Sequence, residues 1–292
     1  MIRLVLCDMD GTLVPFGAER VSDRTLAAIR ALVRAGVRFG PASGREPVDL
    51  RRFFAGDESL FSTGIMANGK LVDVDGRRIK TVTLDVAALR RLEEFASADA
   101  DCALISYVPS EVPGGSATGD DSAETRVLLS AADAEKAARI MRMGEGLLPA
   151  MERGPIPDAR IITAGFVCVD ADRMPAVREC IERLCPELDF AQPTPGFLDI
   201  LQGGWNKASA LPLLERELGI SRDEIAYFGD SENDVAMLEA IPHSFAVSSG
   251  SAAARSAARH VIGSADDDAP ACVMEALAAA SGDLAALDGL LA

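Results

Sequence analysis

Apolar residues fall along this chain in two rhythms that exchange places several times. Residues 2–7 (Ile-Arg-Leu-Val-Leu-Cys) make a short, nearly unbroken apolar run, the pattern of a strand buried on both faces. Residues 22–35 change to helical spacing, with Ser22 at the start, Leu26, Ile29 and Leu32 on one stripe, and Gly36 as terminator. Residues 37–42 return to a strand. A third short strand is expected at 65–67, before the turn Asn68-Gly69, and Asp75-Gly76 joins 70–74 to 77–84 as a hairpin. After Lys207 the alternation resumes, with strands at 224–228 and 245–247 and helices at 235–240 and 251–258. Strands alternating with helices predict a parallel, doubly wound α/β sheet. Pro212 interrupts the apolar pattern after Lys207, so that helix either kinks there or begins later.

Between the two halves the character changes. Residues 85–200 carry two helical patterns at 87–96 and 132–143, an apolar strand at 161–169, and a Gly/Pro/Ser-rich stretch at 109–119. They read as a second domain inserted into the first, which leaves 1–84 and 201–292 as the two parts of a core. Residues 283–292 extend the chain with alanine and leucine beyond the last expected helix.

Composition narrows the functions open to such a chain. Of 292 residues 49% are hydrophobic, ample for a buried core. Lys and Arg number 29 against 45 Asp and Glu, a net charge of -16, which repels nucleic acid over most of the surface. The apolar run at the start is broken by Asp8 and Asp10, unlike a signal core, and no stretch reaches membrane-spanning length. A cytoplasmic protein without a membrane partner is expected. The cysteines, Cys7, Cys102, Cys168, Cys180, Cys185 and Cys272, show no metal-ligand pairing and are expected to be reduced thiols. Nothing in the pattern sets an oligomeric state.

Candidate chemistry gathers where strands end. Asp8 and Asp10 lie two apart at the carboxyl end of the first strand, so both project to one side, at the edge where open parallel sheets bind ligands. Two carboxylates so close are costly unless a cation, a proton or hydrogen bonds stabilise them, and hard oxygen ligands suit magnesium. Gly11-Thr12 adds a tight turn and a hydroxyl. On its own Asp-x-Asp-Gly-Thr is also what a strand running into a polar turn looks like. Ser43-Gly44-Arg45 follows the second strand and offers a hydroxyl and backbone N–H groups where a helix begins. Lys207 follows Gly203-Gly204-Trp205-Asn206 at a helix head, where its point charge could reach a phosphate. Gly229-Asp230-Ser231-Glu232-Asn233-Asp234 crowds three acidic groups and an amide into a glycine-led loop.

The order of these four segments resembles the haloacid dehalogenase superfamily. An insertion between the second and third motifs, together with Ala67-Asn68-Gly69, is similar to the Cof-type (IIB) sugar-phosphate phosphatases. The resemblance implies a Rossmann-like core with an inserted α+β cap of C2 type that sets substrate specificity. It implies Asp8 as nucleophile forming an aspartyl-phosphate, Asp10 as general acid and base, and Thr12 as a holder of the loop. It implies Mg2+ held by Asp8, the Asp10 backbone carbonyl and Asp230, with Asp234 ordering its waters or ligands. Ser43, Gly44, Arg45, Asn68, Lys207 and Asn233 would bind the phosphate or the rest of a small phosphorylated metabolite. Three segments depart from the subgroup: Ser43 stands where threonine is usual, Phe245-Ala246-Val247-Ser248-Ser249-Gly250 lacks the usual Gly-Asn-Ala, and Asp268-Ala269-Pro270 replaces Asp-Gly-Val. A phosphomutase would use the same nucleophile and metal but needs a cap rich in clustered cations. A non-catalytic sensor of phosphometabolites would bind without turnover. Magnesium-dependent release of phosphate separates the three.

Overall fold

The computed structural model describes residues 1–109, 125–131, 134–143 and 151–287. The chain divides into two compact units, Met1–Thr81 with Asn206–Ala292, and Val82–Trp205 between them in sequence. The composition boundaries at 85 and 200 lie just inside this second unit.

The first segment supplies β1 (Leu4–Cys7), α1 (Asp23–Arg34), β2 (Arg38–Pro41), α2 (Pro47–Phe53), β3 (Gly64–Met66), β4 (Leu71–Val74) and β5 (Arg77–Thr81). Ser22 caps α1, its side chain accepting from the Thr25 amide. Asp75 and Gly76 both take positive φ, 50° and 77°, as a two-residue hairpin turn between β4 and β5 requires.

The inserted segment supplies α3 (Val86–Ala98), β6 (Cys102–Pro109), β7 (Thr125–Ser130), α4 (Ala134–Met143), β8 (Met151–Arg153), β9 (Thr163–Cys168), α5 (Met174–Leu184), β10 (Leu188–Thr194) and β11 (Phe197–Gln202). Its six strands run in the order β10-β11-β9-β6-β7-β8 and pair antiparallel except β7 with β8. Leu89 and Leu92 of α3 and Val177 and Ile181 of α5 bury Leu104, Phe166, Leu198 and Ile200 on one face. Ala137 and Ile140 of α4 cover Ala103, Ile105, Leu129 and Val167 on the other. The unit is therefore α+β. The sequence pattern showed only β9 as a strand; at the edges of the sheet, β8 has three residues and β10 is interrupted by Pro193. Residues 110–119 of the Gly/Pro/Ser-rich stretch, 132–133 of the second expected helix, and 288–292 lie outside the described residues.

The last segment supplies α6 (Leu211–Leu218), β12 (Ile225–Gly229), α7 (Val235–Ala240), β13 (His243–Val247), α8 (Ala252–Ala257), β14 (His260–Ile262) and α9 (Ala269–Ala279). Pro212 does not kink a helix. A separate 3-10 turn covers Lys207–Ala210, and α6 starts afterwards with the proline in its first turn, where no helical hydrogen bond is lost.

The core sheet has the order β14-β13-β12-β1-β2, parallel throughout. Leu4 and Leu6 of β1 face a cluster with Leu211, Leu214, Tyr227, Met237 and Leu238. Val5 and Cys7 point the other way and are equally buried, so both faces are covered. Strands β3, β4 and β5 form a separate antiparallel ribbon. Among the described residues no helix is long and apolar enough to cross a membrane.

Candidate active site

Parallel pairing aligns the ends of β1 and β12, with Cys7 opposite Phe228. The Asp8 amide donates to the Phe228 carbonyl at 2.9 Å. Chain direction thus carries Asp8 and Asp230 off the same edge side by side. Beyond Asp8 the backbone folds tightly, the amides of Thr12, Leu13 and Val14 all donating to the Met9 carbonyl. Gly11 makes this possible with φ +83°. A Cβ there would lie 2.7 Å from Asp230 Oδ2 and from the ring of Phe16. The turn delivers Thr12, whose hydroxyl donates to Asp230 Oδ1 at 3.0 Å.

Lys207 is placed by a second close approach. Ala67, Asn68 and Gly69 after β3 all have positive φ. A Cβ on Gly69 would stand 2.4 Å from the Asn206 carbonyl oxygen, so only glycine lets the two backbones meet. Asn206 caps the following turn, and Lys207 points inward with no exposed surface. Its ammonium donates to Asp8 Oδ1 and to Asp234 Oδ1, both at 2.6 Å.

Asp234 is the most constrained group. Its Oδ1 accepts from Lys207 and also from the hydroxyl of Tyr227 at 2.5 Å, while Oδ2 accepts from the amides of Asp230 and Ser231 at 2.9 and 3.1 Å. Four donors fill both oxygens of a fully buried carboxylate. Asp8, Asp230 and Asp234 bring carboxylate oxygens within 4.8 Å of one another. With both oxygens of Asp234 committed to internal donors, Asp8 and Asp230 are the better cation ligands and Asp234 braces them.

The electrostatics show what this grouping lacks. Burial, reinforced by Asp234 and only partly countered by Lys207, raises the Asp8 carboxyl well above the carboxylate range. Burial and Asp234 push Asp230 up to about 7, eased by the Thr12 hydroxyl. Burial alone would lower Lys207, but Asp234 and Asp8 outweigh it and hold the ammonium above its ordinary value. One buried ammonium faces three buried carboxylates. Hard oxygen donors carrying excess negative charge suit magnesium.

The other sequence candidates gather around this cluster in two groups. The Ser43 amide donates to the Ile65 carbonyl, the Asn68 amide to the Ser43 carbonyl, and the Ala67 amide to the Arg45 carbonyl. Asn233 Nδ2 donates to Asn68 Oδ1 at 3.0 Å, which joins this loop to the one after β12. The Arg45 amide donates to the Ser43 hydroxyl oxygen, and Gly44 lies half-buried between them. Helix α2 begins only at Pro47, so Ser43-Gly44-Arg45 is not a helix start offering free amides; two of its three amides already have partners.

Asp10 and Arg45 form the second group. The guanidinium holds the carboxylate with a two-pronged fork, Nε to Oδ2 at 2.6 Å and Nη2 to Oδ1 at 2.7 Å, and lies 4.7 Å over the Phe53 ring. Asp10 therefore does not share the buried cluster. Its side chain is 40% exposed.

Tyr227 was hidden in the sequence, where it reads as one more large residue of an apolar strand. The available signal was that a buried tyrosine hydroxyl needs a partner, three residues before an acidic loop.

A family description, haloacid dehalogenase-like hydrolase, matches residues 5–274. The chain is 26% identical over 266 residues to 5-amino-6-(5-phospho-D-ribitylamino)uracil phosphatase YbjI of Escherichia coli (strain K12), covering 90% of this chain and 91% of that protein. Among solved structures it is similar to SMU.1108c from Streptococcus mutans UA159, with TM-score 0.78 and 19% identity over 94% of this chain and 98% of that one. It is also similar to the HAD subclass IIB sugar phosphatase BT4131, with TM-score 0.74 and 19% identity over the same shares, 94% and 98%.

Proposed function

The chain belongs to the haloacid dehalogenase-like hydrolase family, and on that premise we propose that it is a phosphatase releasing phosphate from a small phosphorylated metabolite, with Asp8 as nucleophile. The observation that carries this reading is the Lys207 clamp. A buried ammonium 2.6 Å from Asp8 Oδ1 partly offsets the burial that raises Asp8 and occupies that oxygen, which leaves the other to attack; a bound cation would supply the rest of the charge compensation. A sugar phosphate or a similar phosphomonoester is the substrate class, consistent with the phosphoribityl compound named for the Escherichia coli relative.

In this mechanism Asp8 attacks phosphorus, the bond to the leaving oxygen breaks, and an aspartyl-phosphate forms. Asp10 gives its proton to the leaving alcohol and later takes one from the water that hydrolyses the intermediate. Its exposed position outside the buried cluster suits a group that meets substrate. To meet the leaving oxygen the Asp10 carboxyl must leave the Arg45 fork, which occupies both of its oxygens. Lys207 has three N–H donors and gives two to carboxylates, so the third is offered to a phosphoryl oxygen. Ser43, Gly44 and Asn233 complete the phosphate site, with Asn68 holding Asn233. Asp8 and Asp230, together with the Asp10 carbonyl, would hold magnesium. When bound, the ion neutralises charge on the transferring group. Thr12 and Asp234 keep Asp230 in place.

Phosphate release from p-nitrophenyl phosphate with and without Mg2+ tests the reading. Asp8→Asn should abolish turnover, and retention of most wild-type activity would sink the assignment. Asp10→Asn should form and hydrolyse the phosphoenzyme slowly. Normal rates at both steps would remove Asp10 as acid and base.

A further inference from the structure

We infer that Tyr227 is a positioning residue of this site: its hydroxyl fixes Asp234 so that Lys207 stays shared between Asp234 and Asp8. The inference rests on the phosphatase reading and adds a residue to it.

Tyr227 is held from both ends. Its backbone pairs with Leu6 in the central β1–β12 ladder, and its ring belongs to the apolar cluster that contains Leu6, Ile65, Leu211 and Met237. With no exposed surface the ring cannot swing, so the hydroxyl meets Asp234 Oδ1 at a fixed point, 2.5 Å away. That same oxygen accepts from Lys207 at 2.6 Å. Burial and the neighbouring Asp234 and Asp8 charges raise the phenol well above its usual value, so it stays a donor.

Two donors on one carboxylate oxygen compete. Each draws electron density from the acceptor and weakens the hold of the other. Take the phenol away, and Oδ1 keeps Lys207 alone. The buried carboxylate then recovers its charge by drawing the ammonium closer, away from Asp8 Oδ1. Lys207 is the only described cation bonded to Asp8, and a displacement by a fraction of an ångström matters most where charge develops during transfer. Ser43, Gly44 and Asn233 lie outside this chain of bonds and keep their hold on phosphate, so although Lys207 also reaches a phosphoryl oxygen, the loss falls mainly on the transfer step.

Tyr227→Phe keeps the ring and removes the donor. The expected result is kcat lowered by about tenfold, the consequence of losing one charge-assisted hydrogen bond. KM for p-nitrophenyl phosphate and the inhibition constant of inorganic phosphate should each stay within about twofold. A variant matching wild-type kcat within that margin overturns the inference, as does one whose loss lies wholly in KM. Lack of hydrolysis by the wild type overturns both this inference and the phosphatase reading, whereas an active wild type beside an equally active Tyr227→Phe overturns this one alone.

A spectroscopic measurement keeps the inference open to refutation even if Tyr227→Phe does not fold. The chain has two tyrosines, Tyr107 and Tyr227. Tyr107→Phe protein grown on 3-fluorotyrosine therefore carries a single fluorine label, at Tyr227. Adding Mg2+ and beryllium fluoride, an acyl-phosphate mimic for Asp8, should shift that 19F resonance, and Asp8→Asn should abolish the shift. An unmoved resonance in enzyme that beryllium fluoride inhibits overturns the inference.

Discussion

Replacing Lys207 by Met tests the energetics of the buried cluster apart from its chemistry. Methionine nearly matches lysine in length and fills the space, so the change removes a charge and not a volume. Lys207 has no exposed surface, and its two ion pairs, both 2.6 Å, join carboxylates that are 0% and 7% exposed. Removing one partner from such an arrangement costs about 3–5 kcal/mol, because what remains is uncompensated buried charge. For a protein of this size each kcal/mol moves the melting temperature by roughly 2–4 °C, so the variant should melt about 10 °C lower. The assay is thermal unfolding by circular dichroism at pH 7.5 in EDTA. The direction with pH follows from the raised folded-state value of Lys207: its stabilisation is complete below the ordinary lysine value and is lost only as pH climbs through the raised one. At pH 7.5 it is fully present. In the variant Asp8, already raised by burial, gains a proton more readily, so acidification should narrow the gap to wild type. A melting temperature within about 2 °C of wild type at pH 7.5, against the shift expected, would refute the reasoning. So would a gap that widens toward pH 5.

Gly11→Ala sets a Cβ 2.7 Å from Asp230 Oδ2 at φ +83°, and should cost about 1–3 kcal/mol in chemical denaturation and most of the activity. An active, equally stable variant would show that the turn yields. Asp230, pushed up to about 7 by burial, disfavours the metal-free fold as pH rises from the ordinary carboxylate value through about 7. Magnesium needs the ionised form, so the melting shift it induces should grow across that window, and a shift independent of pH would count against Asp230 as ligand. Arg45→Lys replaces a fork by a point charge. The pair is partly exposed, so melting should hardly move, by less than about 1 kcal/mol in stability, while kcat falls. Unchanged kcat would free Arg45 of any part in setting Asp10.

Much of the core was legible because its signals are local. The Ser22 cap, the Asp75-Gly76 turn and the apolar runs of β1 and β12 each state their conformation within a few residues. Asp8, Thr12, Lys207, Asp230 and Asp234 could be gathered from their places after strands, and they do meet. What the sequence concealed depends on pairs distant along the chain. Arg45 looks like a phosphate ligand beside Ser43, yet its fork closes on Asp10, thirty-five positions away. Asp234 is expected to order the ion's waters or ligands, but the four internal donors that hold it, Tyr227 among them, could not be read from its loop. The inserted sheet was largely invisible because β7, β8, β10 and β11 are defined by the strands they pair with and not by their own periodicity.

The position of β1 in the core sheet bears on how the chain is made. It leaves the ribosome well before β12, one of its two neighbours, whose register partners begin at Ile225. All of Val82–Trp205 must be translated in the interval. At about 5–20 residues per second, translating that segment alone takes roughly 6–25 seconds, during which β1 is joined to β2 alone. A hydrophobic edge left open that long is a site for misassociation. It also makes a sharp prediction for stalled or truncated products: a chain ending before β12 lacks not only Asp230 and Asp234 but the strand that closes that edge. Such fragments should depend on chaperones in proportion to the time spent translating the insertion.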